Sequence, residues 1–157
     1  MFDKAACVEK AESFIAQAGE KGAELIVFPE LFIPGYPYGM TFGFTVGRRG
    51  EEGRLDWKLY YDNSILVPGP ETERLSAAAR KAGAWLSIGV SERVIASATL
   101  YNTNLIFSPE GKLVSVHRKL KPTGAERLLL FPMLFDSSPL LLAFQNGQTL
   151  YKILPGL

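Results

Sequence analysis

An alternation of helix and strand patterns is the feature that most constrains the fold of this chain. Apolar residues recur at three- and four-residue steps over residues 3–18, which predicts an amphipathic helix. The short apolar run at residues 25–28 predicts a buried strand, and a second helix and strand follow at residues 70–83 and 85–90. Because strands that alternate with helices form β-α-β units, the predicted fold class is α/β, with helices packed on a sheet.

The remaining segments divide the chain into one domain and a tail. Residues 31–67 are rich in Gly, Pro and aromatic residues and then in charges, with one helical turn predicted at residues 57–61. A β-hairpin is predicted over residues 100–118, because Pro and Gly separate two apolar runs there. Leucines cluster without a period over residues 129–157, so no element is predicted in that segment. The predicted domain therefore ends near residue 128, and a divergent tail follows.

Composition excludes several classes of protein. The chain has 157 residues, of which 47% are hydrophobic, and its formal net charge of +1 argues against a general nucleic-acid binder. The apolar stretch at residues 128–135 contains a proline and is far too short for a membrane span. The only cysteine, Cys7, cannot form an intrachain disulfide, and the acidic N-terminal segment does not resemble a signal peptide. We therefore expect a cytoplasmic protein without membrane or nucleic-acid partners.

Four residues are of types that can carry chemistry. Glu30 directly follows the strand at residues 25–28, where a carboxylate is well placed as a general base, although it could instead cap the following turn. Lys119 lies in a cationic segment that could be a solvated strand end, a phosphate site or a cation that stabilises an oxyanion. His117 is the only histidine, so no metal site is predicted. Cys7 falls within the first helix pattern and is expected to be a packing residue.

Five strings in a fixed order carry a family resemblance. They are FPELFIPGYP (28–37), VPGPET (67–72), IGVSER (88–93), TLYNT (99–103) and HRKLKPTGAERL (117–128). Together they resemble the nitrilase branch of the carbon-nitrogen hydrolases. The resemblance implies that residues 1–128 are the N-terminal part of that family's αββα sandwich, without its first strand and its C-terminal half, and that residues 129–157 are a divergent tail.

The resemblance also implies a reaction and residue roles. The family hydrolyses small nitriles to a carboxylic acid and ammonia through a covalent intermediate on a cysteine, without a metal or organic cofactor. Glu30 matches the general base, Lys119 the catalytic lysine, and Glu126 the second glutamate that orients the lysine and the substrate. Tyr36 lies where the family lines its substrate pocket.

The sequence departs from the family at the nucleophile. In the family a strand that ends in Cys-Trp-Glu follows this region, and this chain has no cysteine after Cys7. We therefore expect the chain as written to be inactive in nitrile hydrolysis. The alternatives are a non-catalytic fragment that associates with full-length nitrilase subunits or with its own copies, and a splicing or frameshift product without function.

Overall fold

The computed structural model describes residues 2–47 and 50–132, together with the pairs 144–145 and 148–149. The helices are α1 (Lys4–Glu20), α2 (Glu51–Asn63), α3 (Pro70–Ala82) and a 3-10 helix (Gly124–Leu128). The strands are β1 (Leu25–Val27), β2 (Trp85–Val94), β3 (Thr99–Phe107), β4 (Leu113–Arg118), β5 (Phe144–Gln145) and β6 (Gln148–Thr149). None of the helices among these residues is long and apolar enough to cross a membrane. The α/β fold class is confirmed.

Two helices begin where the sequence predicts, and α1 ends two residues later than predicted, at Glu20. Asp3 is the N-cap of α1, and its side-chain oxygen accepts a hydrogen bond from the Ala6 N–H at 3.0 Å. Helix α3 begins with Pro70 and ends at Gly83, which adopts the left-handed conformation with φ 63°. Helix α2 is thirteen residues long, where the sequence predicts only one turn. Tertiary packing explains the difference, because Tyr60 on this helix is completely buried.

Strands β1 to β4 form one sheet in the order β1-β2-β3-β4. The crossover from β1 to β2 includes α3 and makes these two strands parallel, which confirms the predicted β-α-β unit. Strands β3 and β4 form the predicted antiparallel hairpin, with Gly111 in its turn at φ 77°. Strands β5 and β6 pair separately as a short antiparallel ribbon in the tail segment, where periodicity predicts no element.

Helices α1 and α3 pack on one face of this sheet and on each other. Their buried side chains meet those of β2 and β3, whose residues pair as Leu86 with Phe107 and Ile88 with Leu105. The fully buried members of this core from the helices and strands are Val8, Ala11, Ile15, Leu75, Ala79, Leu86, Ile88, Val90, Leu105 and Phe107. This core therefore holds the sheet against the two helices. The carboxyl ends of β1 and β4 are outside it and are available to form a site.

The opposite face of the sheet is partly open at β1. Leu25 and Val27 are 54% and 51% exposed, and Trp85, which pairs with Leu25, is 41% exposed. Only Ile26, whose side chain alternates to the helix side, is buried. The prediction of a fully buried strand at residues 25–28 is therefore wrong for Leu25 and Val27.

Candidate active site

Glu30 lies on a sharp bend at the carboxyl end of β1. The chain stays beside β2 as far as Phe28, whose N–H donates to the Ser87 carbonyl at 2.8 Å. Leu31 then turns the chain with a φ of 51°, a left-handed conformation that is unfavourable for a leucine. Its side chain is completely buried, which holds the bend in place. The bend places the Glu30 carboxylate beyond the strand end, as the sequence predicts.

Gly89 on β2 allows this bend to lie against the sheet. A Cβ atom at this position would lie 2.4 Å from the Glu30 Cα and 2.6 Å from the Pro29 carbonyl oxygen. Both neighbours are backbone atoms, so neither can turn away as a flexible side chain could. Only glycine fits here without moving the backbone of Glu30.

We expect Gly89→Ala to destabilise the protein by about 3 kcal/mol, because overpacking against backbone forces the bend away from the sheet. The free energy of unfolding in urea measures this effect. Ser87→Ala, on the same face of β2, is the control: it removes one hydrogen bond to Asn104 and should cost about 1 kcal/mol. A Gly89→Ala variant as stable as the wild type would contradict the close approach.

Lys119 follows the last residue of β4 and lies between two carboxylates. Its N–H donates to the Asn102 carbonyl at 2.8 Å, which continues the pairing of β4 with β3 by one residue. The Nζ atom donates to Glu30 Oε2 at 3.0 Å and to Glu126 Oε2 at 3.0 Å. One ammonium group therefore bridges two carboxylates from distant parts of the chain.

Glu126 is held from several sides on the 3-10 helix that follows the hairpin. Its side chain is only 5% exposed, and its Oε2 accepts a hydrogen bond from the Thr123 N–H at 2.9 Å. The Tyr36 hydroxyl donates to Oε1 at 2.8 Å. Beyond this helix, Leu130 is buried and the Phe131 N–H donates to the Leu100 carbonyl at 2.8 Å, so the helix is anchored to β3.

The charges of the bridge stabilise one another. Burial acts to lower the pKa of Lys119, but its hydrogen bonds to Glu30 and Glu126 outweigh burial and raise it. Burial acts to raise the pKa of Glu126, but the hydrogen bonds from Thr123, Tyr36 and Lys119 outweigh burial and lower it. Pairing of Glu126 therefore contributes stability above its unfolded pKa of 4.5 and loses it on acidification. Pairing of Lys119 contributes below its unfolded pKa of 10.5 and is lost in strong alkali.

Tyr36 keeps its proton over the whole neutral range. Burial, and then its hydrogen bond to Glu126, raise the pKa of Tyr36 to about 12. The phenol is therefore a hydrogen-bond donor to Glu126 and is not a base at neutral pH. Its ring lies 6.3 Å from that of Tyr38, between centroids.

An open cleft of about 470 Å³ adjoins the bridge. It is lined by Pro29, Glu30, Leu31, Phe32, Gly35, Tyr36 and Tyr38. The walls are mainly apolar and aromatic, and the Glu30 side chain, which is 51% exposed, is the charged group among them. Such a cleft can hold a small, largely apolar molecule beside a carboxylate and an ammonium group.

The structure brings Glu30, Lys119, Glu126 and Tyr36 into one chain of contacts. Cys7 has a different setting: it is half-buried on α1, and its thiol donates to the Pro34 carbonyl at 3.5 Å. Burial, and then the charge of Asp3, raise the pKa of the Cys7 thiol. Residues 2–47 and 50–132 contain no cluster of three His, Cys, Asp or Glu side chains that could hold a metal ion.

Sequence reasoning misses Asn102 as a site residue. Its amide nitrogen donates to Glu30 Oε2 at 2.9 Å from the middle of β3. The signal available in the sequence is an amide residue inside a predicted strand, in the string Leu100-Tyr101-Asn102-Thr103. That pattern also describes a half-exposed strand, so it does not single out this side chain.

Comparison with known protein sequences places the chain in a family. Residues 1–153 match the family model described as Carbon-nitrogen hydrolase. The chain is similar to Nitrilase 1 of Arabidopsis thaliana, with 48% identity over 127 residues, 81% of this chain and 36% of that protein. It is also similar to an aliphatic nitrilase of Sinorhizobium fredii, with 50% identity over 126 residues, 80% of this chain and 40% of that protein. The chain thus spans two fifths or less of the length of these relatives.

Solved structures with a similar fold come from the same superfamily. Nit3 of Saccharomyces cerevisiae, a member of branch 10 of the nitrilase superfamily, superposes with a TM-score of 0.61 and 28% identity, covering 83% of this chain and 44% of that one. An amidase of Nesterenkonia from the nitrilase superfamily has a similar fold, with a TM-score of 0.58 and 20% identity, covering 84% of this chain and 44% of that one. With these matches, the chain belongs to the carbon-nitrogen hydrolase family, on its nitrilase branch.

Proposed function

We propose that this chain supplies the base, the cation and the second glutamate of a nitrilase active site. The observation that carries the proposal is the bridge in which Lys119 Nζ lies 3.0 Å from a carboxylate oxygen of Glu30 and 3.0 Å from one of Glu126. A partly buried ammonium beside a half-exposed carboxylate can stabilise developing negative charge while the carboxylate accepts a proton. The names of the nitrilases that the chain resembles support a nitrile as the substrate.

In the proposed reaction, Glu30 accepts the proton of a cysteine thiol, and the sulfur forms a bond to the nitrile carbon. The nitrile nitrogen gains a proton and the covalent product is a thioimidate. Water adds to this carbon, ammonia leaves, and a second water breaks the carbon-sulfur bond to release the carboxylic acid. Lys119 stabilises the charge that develops on the tetrahedral intermediates, and Glu126 holds Lys119 through the 3.0 Å contact.

The thiol of this reaction comes from outside the 157 residues. Cys7 is the only cysteine, and its sulfur is hydrogen-bonded to Pro34 and has a raised pKa, which suits a packing residue and not an activated nucleophile. We therefore propose that the chain by itself does not turn over nitriles and that residues 1–128 act when a segment with the family's cysteine strand completes the site.

A joined protein tests this proposal: residues 1–128 of this chain fused to the C-terminal part of Arabidopsis Nitrilase 1 that carries its cysteine. We expect ammonia release from small aliphatic and aromatic nitriles by the joined protein and none from the 157-residue chain. Cys7→Ser in the joined protein should leave the rate unchanged. A folded joined protein without activity, or ammonia release by the chain alone that Glu30→Gln abolishes, would overturn the proposal.

A second candidate function is association with full-length nitrilase subunits without catalysis. The exposed apolar side chains of Leu25, Val27 and Trp85 on the open face of the sheet favour it, because such a face is stabilised by contact with another surface. The two candidate functions differ in whether they require the Glu30 carboxylate. Association does not depend on the carboxylate of Glu30, whereas hydrolysis does.

A further inference from the structure

Two donors converge on one oxygen of the Glu30 carboxylate. Asn102 Nδ2 lies 2.9 Å from Oε2, and Lys119 Nζ lies 3.0 Å from the same atom. The other oxygen, Oε1, accepts no hydrogen bond from the residues that the structure describes in full detail, 2–47 and 50–132. The two oxygens of Glu30 are therefore in different environments, one anchored and one available.

The anchoring amide is itself rigidly placed. Asn102 pairs with Ser91 in the middle of the sheet and is 5% exposed, whereas the side chain of Glu30 is 51% exposed. The next residue, Thr103, donates to the buried carboxylate of Glu92 at 2.7 Å. Asn102, on a central strand, can therefore hold the side chain of Glu30, which lies on an exposed bend. Glu30 is too exposed to hold Asn102 in the same way.

Asn102 also holds the partner of Glu30. Its carbonyl oxygen accepts the Lys119 N–H at 2.8 Å, just beyond the end of β4. The same residue therefore fixes the backbone of the lysine through its main chain and the carboxylate of the glutamate through its side chain. An amide suits this position because it donates a hydrogen bond to the carboxylate and has no acidic proton to transfer.

We infer that Asn102 is a positioning residue for Glu30: its amide fixes Oε2 beside Lys119 and leaves Oε1 as the oxygen that accepts the proton. The role of Glu30 as the base rests on the proposed function. The placement of Glu30 by Asn102 does not, and it can be tested in the 157-residue chain without catalysis.

The titration of the Lys119 side chain, followed by NMR of its ¹³Cε and ¹⁵Nζ nuclei, reports whether Glu30 stays in place. Glu30→Gln removes one of the two carboxylates that raise the pKa of Lys119, so this pKa should fall. We expect Asn102→Leu to reproduce at least half of that fall, because the released carboxylate turns towards solvent. The double variant Asn102→Leu/Glu30→Gln should show no further fall, since both changes act on one interaction.

Asn104→Leu is the matched control, because Asn104 lies two residues further along β3 on the same face and its side chain bonds to Ser87. It should leave the titration of Lys119 unchanged. Circular dichroism checks the fold of each variant. If Asn102→Leu unfolds, Asn102→Ser replaces it, because the shorter serine hydroxyl cannot reach Glu30. The inference would be overturned if the pKa of Lys119 in a folded Asn102 variant equalled the wild-type value. It would also be overturned if Asn104→Leu lowered this pKa as much as Asn102→Leu does.

In the joined protein, the kcat and KM of the Asn102→Leu variant distinguish a role in positioning Glu30 from a role in binding the substrate. We expect Asn102→Leu to lower kcat about 10- to 100-fold and to change KM less than threefold, because the amide touches the base and not the substrate. A joined protein that is inactive without any substitution contradicts the proposed function, and the titration of Lys119 still decides the role of Asn102.

Discussion

Lys119→Ala is expected to lower kcat/KM of the joined protein by about 10³-fold or more, the largest effect of any single substitution outside the nucleophile. The ammonium is the only group that contacts both Glu30 and Glu126 among residues 2–47 and 50–132. Without it, two carboxylates face each other with no cation between them, and the developing charge of the intermediate loses its nearest positive group. Losing one such stabilising group costs roughly 10² to 10³ in kcat, and groups that act as a unit cost more.

Lys121 offers a matched control for this effect. It is two residues further along the same segment and is exposed to solvent. Lys121→Ala removes the same charge from the segment, and we expect kcat/KM to change less than threefold. Ammonia release at saturating and limiting nitrile gives both parameters. A Lys119→Ala protein within tenfold of the parent would show that the bridge is structural.

Arg118→Met should destabilise the chain by about 3 to 5 kcal/mol, the largest stability effect that the structure suggests. Arg118 forms two hydrogen bonds with Glu92, at 2.8 Å from Nε and 2.5 Å from the terminal nitrogen, and the side chain of Glu92 is only 2% exposed. Removing the arginine leaves a buried carboxylate without its counter-ion. The free energy of unfolding in urea at pH 7 measures this loss.

The chain contains a matched pair of the same geometry at its surface. Arg74 forms two hydrogen bonds with Glu12, and these side chains are 42% and 33% exposed. We expect Arg74→Met to cost at most about 1 kcal/mol, because solvent screens the exposed pair. Adding Glu92→Met to Arg118→Met should recover stability, since no buried charge then remains. Equal losses for the two arginine variants would show that burial does not set the effect.

The helix caps at Asp3, Pro70 and Gly83 could be predicted because they depend on local chemistry. Asp3 accepts the N–H three residues later, Gly83 adopts the left-handed conformation, and Pro70 begins a helix, each for reasons contained in a few neighbouring residues. Glu30 could be placed at the carboxyl end of a strand for the same reason. The family resemblance drawn from five strings is confirmed by the Carbon-nitrogen hydrolase match over residues 1–153.

Helix α2 and the exposure of β1 could not be predicted because they depend on what packs against them. The helix is stabilised by the burial of Tyr60 beneath residues distant in the sequence, and no periodic pattern carries that information. The apolar run of β1 looks the same whether one or both faces are covered. In the structure Ile26 is covered by the helices, and Leu25 and Val27 are not.

The sequence alone indicated the class of fold and the family, and it predicted three residues for the proposed chemistry: Glu30, Lys119 and Glu126. Only the tertiary structure decided how they meet, because Glu30 and Lys119 are 89 residues apart and their contact depends on the register of β3 between them. The same register places Asn102 against Glu30, and the pairing of β1 with β2 places Gly89 beneath Glu30. Contacts of this kind arise from the pairing of distant strands, and a linear pattern of residues does not contain the pairing.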